Sequence, residues 1–418
     1  MSTLSQLAES LIGSEIVKLG NEISRRVNEG EKIYNYTIGD FDPAIFPIPA
    51  RLEEQIISCY KDRYTNYPPA DGLVELRNAV AAFVAEHQGV HYAPSEIQIA
   101  SGGRPLIYSL FKTIVDKNDK VIYAVPSWNN NHYTAMNHGT HCTIDAYPEN
   151  NFMPTVDDIK PHIPGAALLC LCTPQNPTGT TMSKETLEGI CDMILEENSR
   201  RQGKEKKLYV MFDQMYALLT YGDTEHYNPV ALRPAMKEYT IFIDGISKSF
   251  AATGVRVGWA LGPVHVMAKM RALLSHIGAW APMAEQKATA NFLLQKEATA
   301  QYLANFRNEL YERLAALHNG LIAMKAMGLP VDCIAPQAAI YLTIKLDLVG
   351  KVADGKPLHD QREVTAYVLS KAKLAIVPFY AFGAGSNSPW YRMSVGTCVK
   401  SEIPAMLGLL ENALASLV

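Results

Sequence analysis

A chain of 418 residues is long enough for two or three domains at roughly 150 residues each, and its 48 % hydrophobic and 19 % charged content excludes disorder and fibrous repeats. Lys+Arg 38 against Asp+Glu 42 leaves a net charge of −4, too little positive field for a protein that binds nucleic-acid phosphates. Seven cysteines with no Cys-x-x-Cys pair point to neither a disulfide framework nor a zinc site, and without a leader or an apolar run of about 18 residues they predict a cytoplasmic protein with reduced thiols.

In chain order, strand-like segments are expected over 97–100, 121–125, 141–147, 166–172, 208–213, 240–244 and 255–261. Helices are expected over 103–116, 183–202 and 264–276, the second opened by Ser183 as N-cap. This alternation predicts an α/β fold, a large domain whose mostly parallel sheet is flanked by helices. Cys170 and Cys172 fall on one face of their strand and read as core. A pattern rich in Ala, Leu and charge over 284–327 predicts a long helix leading away from the sheet. Beyond it the grammar changes: a strand over 338–346, a helix near 360–372, a strand ending at Pro378 and a strand–helix pair over 390–418 describe a smaller α+β domain. The expected division is a large domain of 51–310 and a small domain of 1–50 with 311–418, packed together because no flexible linker separates them.

Three strand ends carry the chemistry. At the first, Asp244-Gly-Ile-Ser-Lys-Ser-Phe-Ala-Ala-Thr-Gly-Val-Arg256, a lysine leaves an apolar strand into a small-residue loop that closes on an arginine. A lone lysine is most often a solvated charge, yet one desolvated here would be a nucleophile toward carbonyl groups. At the second, Tyr209-Val-Met-Phe-Asp-Gln-Met-Tyr216, an acid and a tyrosine stand where ligands bind in open α/β sheets; the acid could also simply cap a helix. The third, Cys172-Thr-Pro-Gln-Asn-Pro-Thr-Gly179, is a turn by composition. In addition, Ser101-Gly-Gly-Arg104 precedes a helix and offers backbone N–H groups to an anion.

Together and in this order these elements resemble the fold type I pyridoxal-phosphate aminotransferases of class I/II, over essentially the whole chain. The resemblance implies that pyridoxal 5'-phosphate is bonded covalently by Lys248, that Asp213 pairs with its pyridine nitrogen, and that Tyr216 and Asn176 hydrogen-bond its ring oxygen O3′. It implies phosphate contacts from Arg256, from the Gly102, Gly103 and Arg104 turn and from Ser247, and stacking by Trp128 of Pro126-Ser-Trp128, which could equally be a core tryptophan. Tyr67, in Tyr-Pro-Pro-Ala-Asp-Gly72, resembles the tyrosine that reaches the neighbouring subunit's phosphate, so a homodimer with sites at its interface is implied. Arg392, in Trp390-Tyr-Arg-Met-Ser394, is similar to the arginine that grips the substrate α-carboxylate, with Gly39 and Asn176 beside it. The implied reaction is a ping-pong transfer of an amino group from an L-amino acid to a 2-oxo acid, with the amine of Lys248 moving the Cα proton. No metal is implied.

Departures from the family pattern bear on substrate. Gly245 stands three residues before the lysine, where many relatives carry a phosphate-binding serine. Phe379-Tyr-Ala-Phe-Gly383 follows Pro378 in place of an immediate glycine, Gly39-Asp-Phe-Asp-Pro43 replaces Gly-Glu-Pro-Asp-Phe, and Trp128 is followed by Asn129-Asn-Asn-His132. Arg104 occupies the place of a lysine that faces the distal carboxylate of acidic substrates in one subgroup, so aspartate is the expected donor and 2-oxoglutarate the acceptor. Arg104 could instead be a surface or phosphate-neighbouring charge. Alanine, methionine or aromatic donors, a β-elimination lyase or aminocyclopropanecarboxylate-synthase-like activity, and a ligand-sensing module are the alternatives.

Overall fold

The computed structural model describes residues 3–418 apart from 12 and 14; the expected small-domain residues 1, 2, 12 and 14 lie outside the described residues. Seven strands form the larger sheet: β1 (Ile97–Ala100), β2 (Lys120–Val125), β3 (Thr140–Asp145), β4 (Ala166–Cys172), β5 (Tyr209–Asp213), β6 (Thr240–Gly245) and β7 (Gly258–Leu261). Their order is β1-β7-β6-β5-β4-β2-β3, parallel except where β7 runs against β6 and β1. Both faces are covered, as a parallel sheet requires. Leu169, Leu171, Val210 and Phe212 enter one core, while the alternate residues Leu168, Cys170, Tyr209 and Met211 enter the other. Each fully buried side chain of this size contributes about 2 kcal/mol.

Helices Val74–Gln88 and Lys184–Arg201 supply residues to the first core and Gly103–Ile114 and Val264–Ile277 to the second. Ser183 caps its helix as expected, its side chain accepting from the Thr186 N–H. The expected long helix is broken. Met283–Leu293 and Lys296–Ala326 are separate helices, because Phe292 and Leu293 are held in the sheet's core while Leu294 turns out to solvent at 58 % exposure. The second helix carries Leu303 into that core and Phe306, Leu310, Leu314, Leu317 and Leu321 into another.

That other cluster surrounds a four-stranded antiparallel sheet of β8 (Val331–Cys333), β9 (Tyr341–Leu346), β10 (Val377–Pro378) and β11 (Trp390–Ser394), in the order β10-β11-β9-β8. Tyr34–Asn35 pairs in parallel with Leu374–Ala375, and Tyr34, Tyr36, Phe41 and Phe46 join the same cluster. The strand expected over 255–261 begins only at Gly258. Arg256 adopts a left-handed φ of 62° and is bent out of the ladder toward the Ser101–Gly103 turn.

Candidate active site

The carboxyl ends of β1, β4, β5 and β6 and the strand β11 converge on one cavity of about 640 Å³. Lys248 stands in a single helical turn, Ile246–Ser249, that follows β6 directly. Its ammonium donates to the Gly39 carbonyl and lies over the rings of Phe41 and Tyr216, 5.6 and 6.0 Å from their centroids. Burial pulls its pKa from 10.5 down to about 8; the Asp40 carboxylate opposes this shift, while Arg392, Arg104 and Arg256 reinforce it. An amine near neutrality is what nucleophilic attack on a carbonyl needs.

Asp213 ends β5, beside Cys172 at the end of β4. Loss of hydration raises its carboxyl to about 6, partly offset by the Met215 N–H donating at 3.2 Å. Among the described residues no cation offsets this burial, and a protonated ring nitrogen would be one. Three residues on, the Tyr216 hydroxyl meets the Tyr341 hydroxyl at 2.6 Å. Asn176 accepts from Arg392 Nη1 through Oδ1 at 3.0 Å, which leaves its amide N–H groups free.

An anion cradle lies at the other end. The helix Gly103–Ile114 opens at the Ser101–Gly102–Gly103 turn with Gly102 at φ 82°, and its free N–H groups favour negative charge. Arg256 donates to the Ser101 carbonyl at 2.9 Å and the Thr253 carbonyl at 2.6 Å, and a Cβ on Gly102 would run into the guanidinium. The absence of a serine at Gly245 has a steric reason: a Cβ there would lie 2.9 Å from the Val257 carbonyl oxygen and from Gly258 Cα. Ser247, two residues on, lines the cavity instead.

Arg392 is 2 % exposed. Its guanidinium is sandwiched between the rings of Tyr341 and Phe382, 4.7 and 4.9 Å from their centroids. It donates to Asn176 and to the Thr37 carbonyl, the latter at 2.6 Å, while its Nε is buried without a partner. Burial lowers its pKa, and no carboxylate offsets this among the described residues. A buried cation without a counter-charge is costly, and a carboxylate entering the cavity that Arg392 lines would offset that cost.

The cavity thus brings together Gly39, Gly103, Arg104, Trp128, Asn176, Asp213, Tyr216, Ser247, Lys248, Arg256 and Arg392. Gly102 does not itself line it, but abuts the Arg256 guanidinium, which does. Tyr67 is elsewhere: it is 82 % exposed and meets Trp280 edge-on at 5.2 Å, in a separate cleft with Tyr60 and Tyr64. Four cations (Arg104, Lys248, Arg256 and Arg392) face two carboxylates (Asp40 and Asp213), a balance suited to a phosphate dianion together with a carboxylate substrate. The donor set therefore fits a phosphorylated pyridine aldehyde, with an amine, an unpaired acid and an anion cradle at separate points.

Asp40, Thr37, Thr253 and Tyr341 also line the cavity; Asp40 and Thr253 fall within segments the sequence marks, the Gly39–Pro43 departure and the lysine loop, but the sequence assigns a role to none of the four. Asp40 follows Gly39 and accepts from the Thr253 hydroxyl at 2.6 Å, tying the 37–40 segment to the lysine loop. Tyr341 falls within the strand expected over 338–346, where alternation gives a face but not a neighbour.

The chain matches the family described as aminotransferase class I and II over residues 37–407. It is 26 % identical to the aspartate aminotransferase of Geobacillus stearothermophilus over 387 residues, 92 % of this chain and 93 % of that one. The solved structure of the Rhizobium meliloti aspartate aminotransferase superposes with a TM-score of 0.88 at 25 % identity, covering 100 % of both chains. The aromatic aminotransferase of Pyrococcus horikoshii OT3 superposes at 0.82, with 25 % identity over 94 % of this chain and 98 % of that one.

Proposed function

Because the chain belongs to the class I and II aminotransferases, enzymes of fold type I that work with pyridoxal 5'-phosphate, we propose that it transfers the amino group of L-aspartate to a 2-oxo acid such as 2-oxoglutarate. The observation that carries this reading is the buried, uncompensated Arg392 opposite Lys248 in one cavity. When bound, the cofactor supplies an electron-withdrawing ring that stabilises negative charge at the substrate Cα. Arg392 then orients the α-carboxylate, with Asn176 and Gly39 beside it. Asp213 would keep the ring nitrogen protonated, and Tyr216 and Asn176 would donate to the ring oxygen. The Gly102–Gly103 turn, Ser247 and Arg256 would hold the phosphate, and Trp128 would pack against the ring. Lys248 Nζ, buried in the same cavity with its pKa lowered to about 8, would hold the cofactor's aldehyde carbon and, as a free amine, would serve as the base for the Cα proton.

Aspartate is favoured by Arg104. Its guanidinium lies at the cavity's wall, 5.3 Å above the Trp128 ring, where it can take a second carboxylate. Titrating single amino acids into the cofactor-loaded protein without any oxo acid tests this by visible absorption. Aspartate and glutamate are expected to convert the band, and alanine and methionine are not. Arg104→Leu is expected to raise the aspartate concentration needed by about 10²-fold, the worth of one or two charged hydrogen bonds. A band that no amino acid changes would sink the transaminase reading in favour of a lyase or a sensor. Aromatic donors are the second reading, supported by Trp128 and Ile107 on the cavity wall and by the likeness to an aromatic aminotransferase.

A homodimer belongs to the same proposal. The exposed aromatic cleft of Tyr60, Tyr64, Tyr67 and Trp280 is the surface it would cover, and a solution mass of twice 46.1 kDa by light scattering is the expected result. The proposed domains, 51–310 and 1–50 with 311–418, draw support from the separate clusters around the two sheets. The seven free cysteines support a cytoplasmic location.

A further inference from the structure

We infer that Tyr341 is a positioning residue that links the carboxylate-binding Arg392 to the cofactor ring through Tyr216. This rests on the reading of Tyr216 as the donor to the ring oxygen. Three contacts place Tyr341 between the two ends of the site. Its hydroxyl lies 2.6 Å from that of Tyr216, its ring lies under the Arg392 guanidinium at 4.7 Å, and a Cβ on Gly39 would sit 2.9 Å from its oxygen. It is 1 % exposed, so bulk water does not compete for its hydroxyl. The register explains the placement. Strand β9 pairs with β11 so that Tyr341 is opposite Ser394 and Thr343 opposite Arg392, which puts tyrosine and arginine on neighbouring strands at the same end of the small sheet.

The direction of the hydrogen bond follows from counting protons. Each phenol has one to donate. When Tyr216 gives its proton to the ring oxygen, the 2.6 Å contact can be a hydrogen bond only with Tyr341 as donor. Tyr341 then polarises the Tyr216 O–H and strengthens its donation. The cation over the Tyr341 ring makes that phenol the better donor, because it withdraws electron density from the face it covers. A substrate carboxylate that neutralises Arg392 weakens this effect, so occupancy of the carboxylate site is reported to the ring oxygen. Asn176, bonded to Arg392 directly, offers a shorter route in parallel, and the Tyr341 route adds to it.

The readout is the pH midpoint of the visible band of the cofactor-loaded protein, which follows the proton on the Lys248–cofactor nitrogen. Donation to the neighbouring ring oxygen favours the deprotonated form, in which that oxygen carries the fuller negative charge. Loss of donation therefore raises the midpoint. Tyr341→Phe keeps the ring against Arg392 and removes only the hydroxyl. It is expected to raise the midpoint by about 0.4–1 pH unit, the equivalent of one neutral hydrogen bond, and to shrink the further rise caused by saturating succinate, a dicarboxylate with no amino group to react. In a Tyr216→Phe background the same substitution is expected to move the midpoint no further. A midpoint raised by Tyr216→Phe but untouched by Tyr341→Phe overturns the link and leaves Tyr216 on the ring. A midpoint that neither substitution moves overturns the placement of Tyr216 and the link with it. If Tyr341→Phe does not fold, the succinate-induced rise in Tyr216→Phe decides: a rise as large as in the parent overturns the link, and a smaller one supports it.

Discussion

Lys248→Ala is expected to lower turnover by on the order of 10⁴-fold, the upper range for removing a positioned acid–base group, and to abolish the absorption band of covalently held cofactor. In the unloaded site burial has brought the pKa of the Lys248 amine to about 8. Only its neutral form attacks a carbonyl. The rate at which the cofactor-free parent captures added pyridoxal phosphate should therefore rise about tenfold per pH unit below this value and level off above it. The fold should survive the substitution, since a desolvated ammonium is a cost to the native state and its pKa is lowered there. By linkage, that cost is largest below about pH 8 and vanishes as pH rises toward the unfolded-state value. Thermal melts of the cofactor-free variant at pH 7 are thus expected to match or exceed those of the parent. Small primary amines added to the variant should restore part of the turnover, a rescue that separates lost chemistry from lost structure. Turnover within tenfold of the parent would falsify the assignment of Lys248 as base.

How much of this site could be read in advance depended on where each residue lies relative to a strand end. Lys248, Asp213 and Asn176 follow apolar runs whose ends are written in the sequence as sharp changes to polar and small residues, and the rule that ligands bind at carboxyl ends of strands then places them together. Arg392 was legible only through family resemblance, because its strand belongs to a different sheet and nothing local says that the two sheets face each other. Tyr341 carries no such signal, and Asp40 shows only as part of the Gly39–Pro43 departure, with no role attached to it. Each is functionally placed by a long-range contact, Asp40 with Thr253 and Tyr341 with Tyr216. The break at Leu294–Gln295 escaped for a related reason. Its flanks are both good helix formers, and only the competing demands of two cores, one holding Phe292 and the other Phe306, require the chain to turn there. The left-handed Arg256 is another such case: continued extension would have served the ladder, but its bonds to Ser101 and Thr253 hold it out of line.

Arg392→Ala is expected to lower kcat/KM for the amino donor by about 10²–10⁴-fold while leaving the dissociation constant for the cofactor within a few-fold of the parent. The magnitude follows from two charge-assisted hydrogen bonds at about 1.5–3 kcal/mol each. The split between substrate and cofactor follows from position, since Arg392 lies at the Thr37 and Asn176 side of the cavity and Arg256 at the helix-terminus side. Arg392→Lys separates charge from geometry. An ammonium keeps the positive charge but cannot present two parallel N–H groups to a carboxylate, and it leaves either Asn176 Oδ1 or the Thr37 carbonyl without its donor. Activity is therefore expected to recover only in part, by about tenfold over the alanine variant. Competition with succinate gives a second readout free of chemistry: its affinity should fall in both variants in the same order. If both variants bind succinate and turn over aspartate within threefold of the parent, the buried guanidinium is a structural cation and the α-carboxylate is held elsewhere, most directly by Arg104, another cation on the cavity wall.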